Sequence, residues 1–122
     1  MREIKFRAHC KPDNRFYYFT IGQGVAVFND RDIYNQLCLD GVAFEQFIRL
    51  HDKNGNEIYE GDILSQGISR FIVKWDDKHA MYKCFFVGLD EHYCNLSDDY
   101  IRDYFSVIGN IHENPELLEG KE

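Results

Sequence analysis

Glu57, Glu60 and Asp62 fall together just ahead of the apolar pair Ile63-Leu64. Grouped carboxylates are the ligand type that Mg²⁺ or Ca²⁺ takes, and a carboxylate pair is also an acid and a base. In extended backbone, Glu60 and Asp62 point to the same face. Neither chemistry has its remaining parts. No His, Ser or Lys stands within reach to complete a catalytic set, and the D-x-D-x-D-G spacing of a calcium loop is missing. The competing reading is structural: Glu60 and Asp62 accept backbone N–H bonds and fix a bend at Gly61. That reading is the expectation here.

No other constellation stands out. There is no G-x-S-x-G elbow and no phosphate-binding Walker loop. His51, His79, His92 and His112 are isolated in sequence, and His51 beside Asp52 is an oriented base only if a third group joins them. Cys10, Cys38, Cys84 and Cys94 make no CxxC pair, and His92-Tyr93-Cys94 offers two metal ligands where a site needs more. Cys84, inside Cys84-Phe85-Phe86-Val87, reads as a small core residue. No catalytic residue, metal or cofactor is expected, and the chain reads as a non-enzyme.

The charge balance narrows the partners. Fourteen basic residues face twenty-one acidic ones, a formal charge of −7. That field repels free nucleic acid at long range. The exception is the opening stretch, where Arg2, Lys5, Arg7, Lys11 and Arg15 face only Glu3 and Asp13. It is either a small nucleic-acid footprint or the solvated face of a strand. No apolar run approaches the roughly 18–20 residues of a membrane span. Met1 to Arg7 lacks the apolar core of a signal peptide, so a cytoplasmic protein is expected. Aromatic residues make up 16% of the chain, with ten Phe, eight Tyr and one Trp. They suit both half-buried strands and interfaces.

The elements that position these residues read mainly as β. Ile4, Phe6 and Ala8 alternate with Lys5, Arg7 and His9, which predicts a strand with one buried face. Lys11-Pro12-Asp13-Asn14 is a turn, and Phe16-Tyr17-Tyr18-Phe19 returns as the second strand of a hairpin. Val25 to Phe28 is a third short strand or a connector. Asp30 is a helix cap over Arg31 to Leu37, and Asp40-Gly41 marks a turn. Asn54-Gly55 predicts a type I′ hairpin turn, in which both central residues have positive φ. Phe71, Val73 and Trp75 share one strand face. Asp76-Asp77-Lys78 is a turn, and Met81 to Val87 returns. Ser97 caps a short helix through Tyr100 and Tyr104. Val107 to Ile111 is a closing strand with a Gly109 bulge.

Three segments give the chain a family likeness. They are Met1-Arg2-Glu3-Ile4-Lys5-Phe6-Arg7-Ala8, the block Asp52-Lys53-Asn54-Gly55-Asn56-Glu57-Ile58-Tyr59-Glu60-Gly61-Asp62-Ile63-Leu64, and Val107-Ile108-Gly109-Asn110-Ile111-His112-Glu113-Asn114-Pro115-Glu116-Leu117-Leu118. In their start, middle and end placement the chain resembles the YopX family, small proteins of bacterial phages and prophages with no established activity. It departs from that pattern at His9-Cys10, where the family often has Trp-Asp, and at Phe47 to Leu50, where a T-G-L type sequence is common.

The resemblance implies an SH3-like barrel over residues 50–115, with an N-terminal β segment over 1–49 packed on it and a charged tail over 116–122. In such barrels, aromatic residues near loop tips line a peptide or nucleic-acid groove. Tyr59, Trp75, Tyr82 and Tyr93 are the binding residues that follow, set against the reading that they fill the core and its rim. Asn54, Gly55, Glu57, Glu60, Gly61 and Asp62 form the structural motif. The expected function is a phage accessory protein that binds a protein partner. The alternative is a nucleic-acid-associated protein using the basic hairpin. Unpaired edge strands and aromatic surface also make a homo-oligomer plausible.

Overall fold

The computed structural model of the chain describes residues 4–11, 14–22, 25–28, 42–89 and 92–119. The helix expected over Arg31 to Leu37, the Asp40-Gly41 turn, Arg2 and Cys38 lie outside them. Two compact units emerge, Met1–Phe47 and Ile48–Glu122. The described residues are mainly strand with one α-helix, and the strands form two five-stranded sheets.

The first sheet has the order β3-β2-β1-β4-β5, built from β1 (Ile4–Cys10), β2 (Arg15–Gly22), β3 (Val25–Phe28), β4 (Val42–His51) and β5 (Glu57–Tyr59). The hairpin of β1 and β2 forms as the alternation predicts, with Ile4 opposite Ile21 and Cys10 opposite Arg15. Phe6 stacks on Phe19 with ring centroids 5.4 Å apart. One expectation fails here. The face carrying Arg7 and His9 is buried, not solvated. The reason is a cross-strand ion pair. Arg7 lies directly opposite Glu45 in the ladder, and its Nε donates to Glu45 Oε1 at 2.8 Å. The guanidinium also sits over the Phe16 ring.

The second sheet has the order β10-β6-β7-β8-β9 and comprises β6 (Asp62–Gln66), β7 (Ser69–Asp76), β8 (Met81–Phe86), β9 (Tyr93–Asn95) and β10 (Ser106–Asn110). Helix α1 (Asp98–Tyr104) follows Ser97 and supplies Ile101 to the core, with Phe105 just after it. The core of this unit is Ile58, Leu64, Phe71, Val73, Cys84, Ile101 and Phe105. Strand β7 alternates as read, with Phe71 and Val73 inward. The register of β10 on β6 shifts between Val107 and Gly109, the bulge that Gly109 announced.

The expected mainly β architecture is present as two antiparallel sheets, but among the described residues neither sheet closes into a barrel, so the SH3-like closure is not seen. The physical reason is in the strand order. β10 pairs with β6, and the other edge is β9, a strand of three residues; closure would need those two edges to bond. The end of the chain also differs from a plain tail. Pro115–Leu118 winds into a 3₁₀ helix, with proline at its start, where its missing N–H costs nothing.

Candidate functional site

Of the carboxylates grouped around the Gly61 bend, Asp62 and Glu57 take different partners. Asp62 accepts the backbone N–H of Tyr59 at 2.8 Å, as the structural reading requires. Glu57 instead accepts the Tyr59 hydroxyl at 3.1 Å, which turns Tyr59, a proposed binding residue, into a buried one. Gly61 adopts φ 88°, and its N–H bonds Val73 in β7. The turn carrying Glu60 is thereby stapled beside β7, two residues before Trp75. Among the described residues, no group of three or more His, Cys, Asp or Glu could hold a metal ion.

The Asn54-Gly55 loop also departs from expectation. Gly55 has φ 85°, but Asn54 is not at positive φ. Gly55 N–H bonds Asp52 C=O and Asp52 N–H bonds Asn56 C=O, the pattern of a three-residue loop closed by a glycine bulge. Asp52 imposes this. Its carboxylate accepts the N–H groups of Asn54 and Asn56, the Asn56 amide, and the N–H of Val107 at 2.8 Å. Burial opposes ionisation of Asp52, but these donors outweigh it and hold the carboxyl below its ordinary range.

The aromatic candidates separate into two faces at the tip of the β7–β8 hairpin. Phe71, Val73 and Trp75 alternate along one face of β7, and the row runs out of the core so that Trp75 is 45% exposed. Tyr82 is its ladder partner, and the rings meet edge-on with centroids 4.9 Å apart. Burial, reinforced by the Glu60 charge, raises the Tyr82 phenol, which stays protonated. Tyr93 lies on the opposite face, opposite Phe85.

There the structure assembles a group that the sequence did not reveal. Asp76 Oδ2 meets Lys83 Nζ at 2.8 Å and His79 Nδ1 at 2.7 Å. Lys83 Nζ stands 3.7 Å from the centre of the Tyr93 ring. It is also 3.1 Å from His79 Nδ1. One imidazole nitrogen cannot donate to Asp76 and accept from Lys83 at once, and the shorter distance favours donation to Asp76. The hydrogen bonds from Lys83 and His79 hold Asp76 far below the ordinary carboxylate range. Burial works to lower the Lys83 ammonium, but hydrogen bonds to Asp76 and Tyr93 outweigh it and raise it. Both groups are locked in their charged forms. A lysine nucleophile or base needs the opposite shift, so Lys83 acts here as a clamp on the hairpin. The clue available in sequence was the D-x-x-H-x-x-x-K spacing across a hairpin turn.

Among the described residues, the basic N-terminal candidates do not all face outward. Arg7 is buried against Glu45. Lys5 lies over Phe47 and Arg15 over Tyr17, while Lys11 is exposed at the turn.

With this geometry in place, comparison with known proteins gives one decisive match. A model of the family described as YopX protein fits residues 5–119. The chain belongs to the YopX family. It is also similar to the crystal structure of protein EF1440 from Enterococcus faecalis, at 26% identity and a TM-score of 0.65, over 95% of this chain and 98% of that one. No curated protein matches the chain. The residues that carry the YopX likeness do structural work. Asp52 and Asp62 satisfy backbone N–H groups, and Asn110 Oδ1 accepts the N–H groups of His112 and Glu113. Trp75, Tyr82 and the Asp76–His79–Lys83 group lie outside those segments.

Proposed function

We propose that this YopX protein is a non-enzymatic interaction module, carried by a phage or prophage and working in the host cytoplasm, that docks a protein partner on the tip of the β7–β8 hairpin. The observation that carries the reading is Trp75, a large ring that is half in water yet held edge-on by Tyr82. Amphipathic aromatics fixed in this way are the common anchors of interfaces, because little side-chain freedom is lost on binding. The ion-paired Asp76 and Lys83 beside it keep the hairpin tip in one shape. A protein partner is favoured over nucleic acid by the net charge of −7 and by the burial of Arg7 in its pair with Glu45.

The test is affinity purification of the tagged protein from a phage-bearing host, with and without nuclease, read by mass spectrometry. A nuclease-resistant partner recovered with the native chain and lost with Trp75→Ala supports the reading. Partners that vanish on nuclease treatment support the nucleic-acid alternative. Equal recovery with Trp75→Ala removes the hairpin tip from the interface.

A further inference from the structure

A second surface of the Ile48–Glu122 unit carries an apolar group for which the fold has no use. The β6–β7 hairpin closes through Gly67 and Ile68, with Gln66 opposite Ser69. Gly67 takes φ 61° while Ile68 does not have positive φ, the signature of a type II′ turn. The turn requires glycine at its first position and places no apolar demand on the second, where a polar residue is the ordinary occupant. Ile68 is nevertheless there, and it is fully exposed.

The turn sits beside α1. Gln66 Nε2 donates to the Tyr100 hydroxyl at 2.9 Å. Tyr100 is braced from below by Phe105, with ring centroids 5.3 Å apart, and Tyr104 packs beside it at 5.2 Å. Tyr100 and Tyr104 remain 40% and 56% exposed. Ile68 is thus two residues along the chain from the hydrogen bond that ties this turn to Tyr100, and Tyr104 packs beside Tyr100. Around it stand the exposed carboxylates Asp99 and Asp103, with Arg102 drawn onto Asp99 at 2.8 Å and 3.9 Å from Asp103.

We propose that this corner is a second docking site, and that its occupant is a cationic segment of a partner protein, with arginine or lysine alternating with apolar side chains. Charge complementarity selects it. Asp99 and Asp103 attract a cation to the rim, the two tyrosine faces accept it by cation–π contact, and Ile68 meets an apolar side chain. The same carboxylates and the net charge of −7 repel nucleic acid and anionic lipid. A second copy pairing through a two-fold axis would set Asp99 and Asp103 against their own copies. The bracing of Tyr100 by Gln66 and Phe105 means that the ring is oriented before binding, which lowers the ordering cost.

The experiment uses the full chain and two short synthetic peptides, one alternating arginine with leucine and the other alternating glutamate with leucine. Binding is read by fluorescence anisotropy and by amide shifts in ¹⁵N-labelled protein. The expected result is saturable binding of the arginine peptide, absent for the glutamate peptide, with shifts centred on Ile68, Tyr100 and Tyr104. Ile68→Ser and Tyr104→Ser should each weaken it about tenfold, the range of an interface anchor, and Asp103→Lys should weaken it further at low salt than at high salt. Trp75→Ala should leave it unchanged, which separates this site from the hairpin tip. No saturable binding, equal binding of both peptides, or affinity unchanged by Ile68→Ser and Tyr104→Ser would overturn the proposal. So would a concentration-dependent dimer in sedimentation that Ile68→Ser abolishes, because the occupant would then be a second copy.

Discussion

The carboxylate of Asp52 accepts the backbone N–H of Val107 at 2.8 Å, across a separation of 55 residues in sequence. The same side chain closes its own hairpin loop, and Lys53 N–H bonds the Phe105 carbonyl alongside. One buried residue thus sets the loop after β4 and ties it to the start of β10. Removing the carboxylate leaves several N–H donors without their acceptor, at about 1–3 kcal/mol for each that stays buried. Asp52→Ala is expected to lower stability by about 2–4 kcal/mol, and Asp52→Asn by less, because one acceptor oxygen survives. Urea unfolding followed by the single tryptophan measures both. A loss under about half a kcal/mol for Asp52→Ala would show that water replaces the carboxylate easily.

Stability should also respond to acid through this residue. Asp52 and Asp76 are both held below the ordinary carboxyl range, the first by the backbone donors that outweigh its burial, the second by Lys83 and His79. A carboxyl whose folded pKa is depressed contributes stability above its unfolded value, near pH 4, and loses it as pH falls through the folded value. The urea midpoint should therefore fall as the pH drops below about 4. The decline should be shallower in Asp52→Asn. Parallel acid slopes in the two proteins would assign the effect to other groups.

Gly109 is required by a side chain, not by its own φ. A Cβ built there would lie 2.5 Å from Asn114 Oδ1 and 3.0 Å from Asn114 Cβ. Asn114 Oδ1 is also the acceptor for Asn110 N–H, so moving it aside breaks a bond. Gly109→Ala should cost about 1–3 kcal/mol, and adding Asn114→Ala should recover part of that cost. The double-mutant cycle decides the matter, since strictly additive effects would mean that the two positions do not press on each other.

Cys84 should be chemically silent in the folded protein. Burial, with the neighbouring Cys94, pushes its thiol up to about 12, and its Sγ–H donates to the Cys94 carbonyl at 3.3 Å. Alkylation requires the thiolate. Iodoacetamide at pH 8 should leave Cys84 unmodified until urea unfolds the chain, as read by peptide mass spectrometry. Rapid labelling of the native protein at Cys84 would contradict this placement.

Local pattern determined much of this protein. Alternation placed β1 and β7, the turns after them and the apolar runs that follow placed β2 and β8, the polar run ahead of α1 placed its start at Ser97, and Gly109 marked its bulge. The three motif segments identified the family, and Asp62 proved to be the turn-bracing carboxylate that its neighbourhood suggested. The strands and turns rest on forces acting within a few residues, alternation and turn geometry, whereas Ser97 precedes α1 without making the side-chain capping bond expected of it.

What the tertiary structure decided depends on partners distant in sequence. Arg7 reads as a solvent-facing cation until Glu45 pairs with it from another strand. Asn54-Gly55 reads as a type I′ turn until Asp52, fixed by Val107, imposes the longer loop. His79 and Lys83 look unrelated until the β7–β8 register brings both to Asp76. Sheet closure also depends on which strands find each other, and β10 pairing with β6 left β9 at an open edge. A period of two tells which face a side chain takes, but it does not say which strand will lie beside it, and charge pairing and burial follow from that choice.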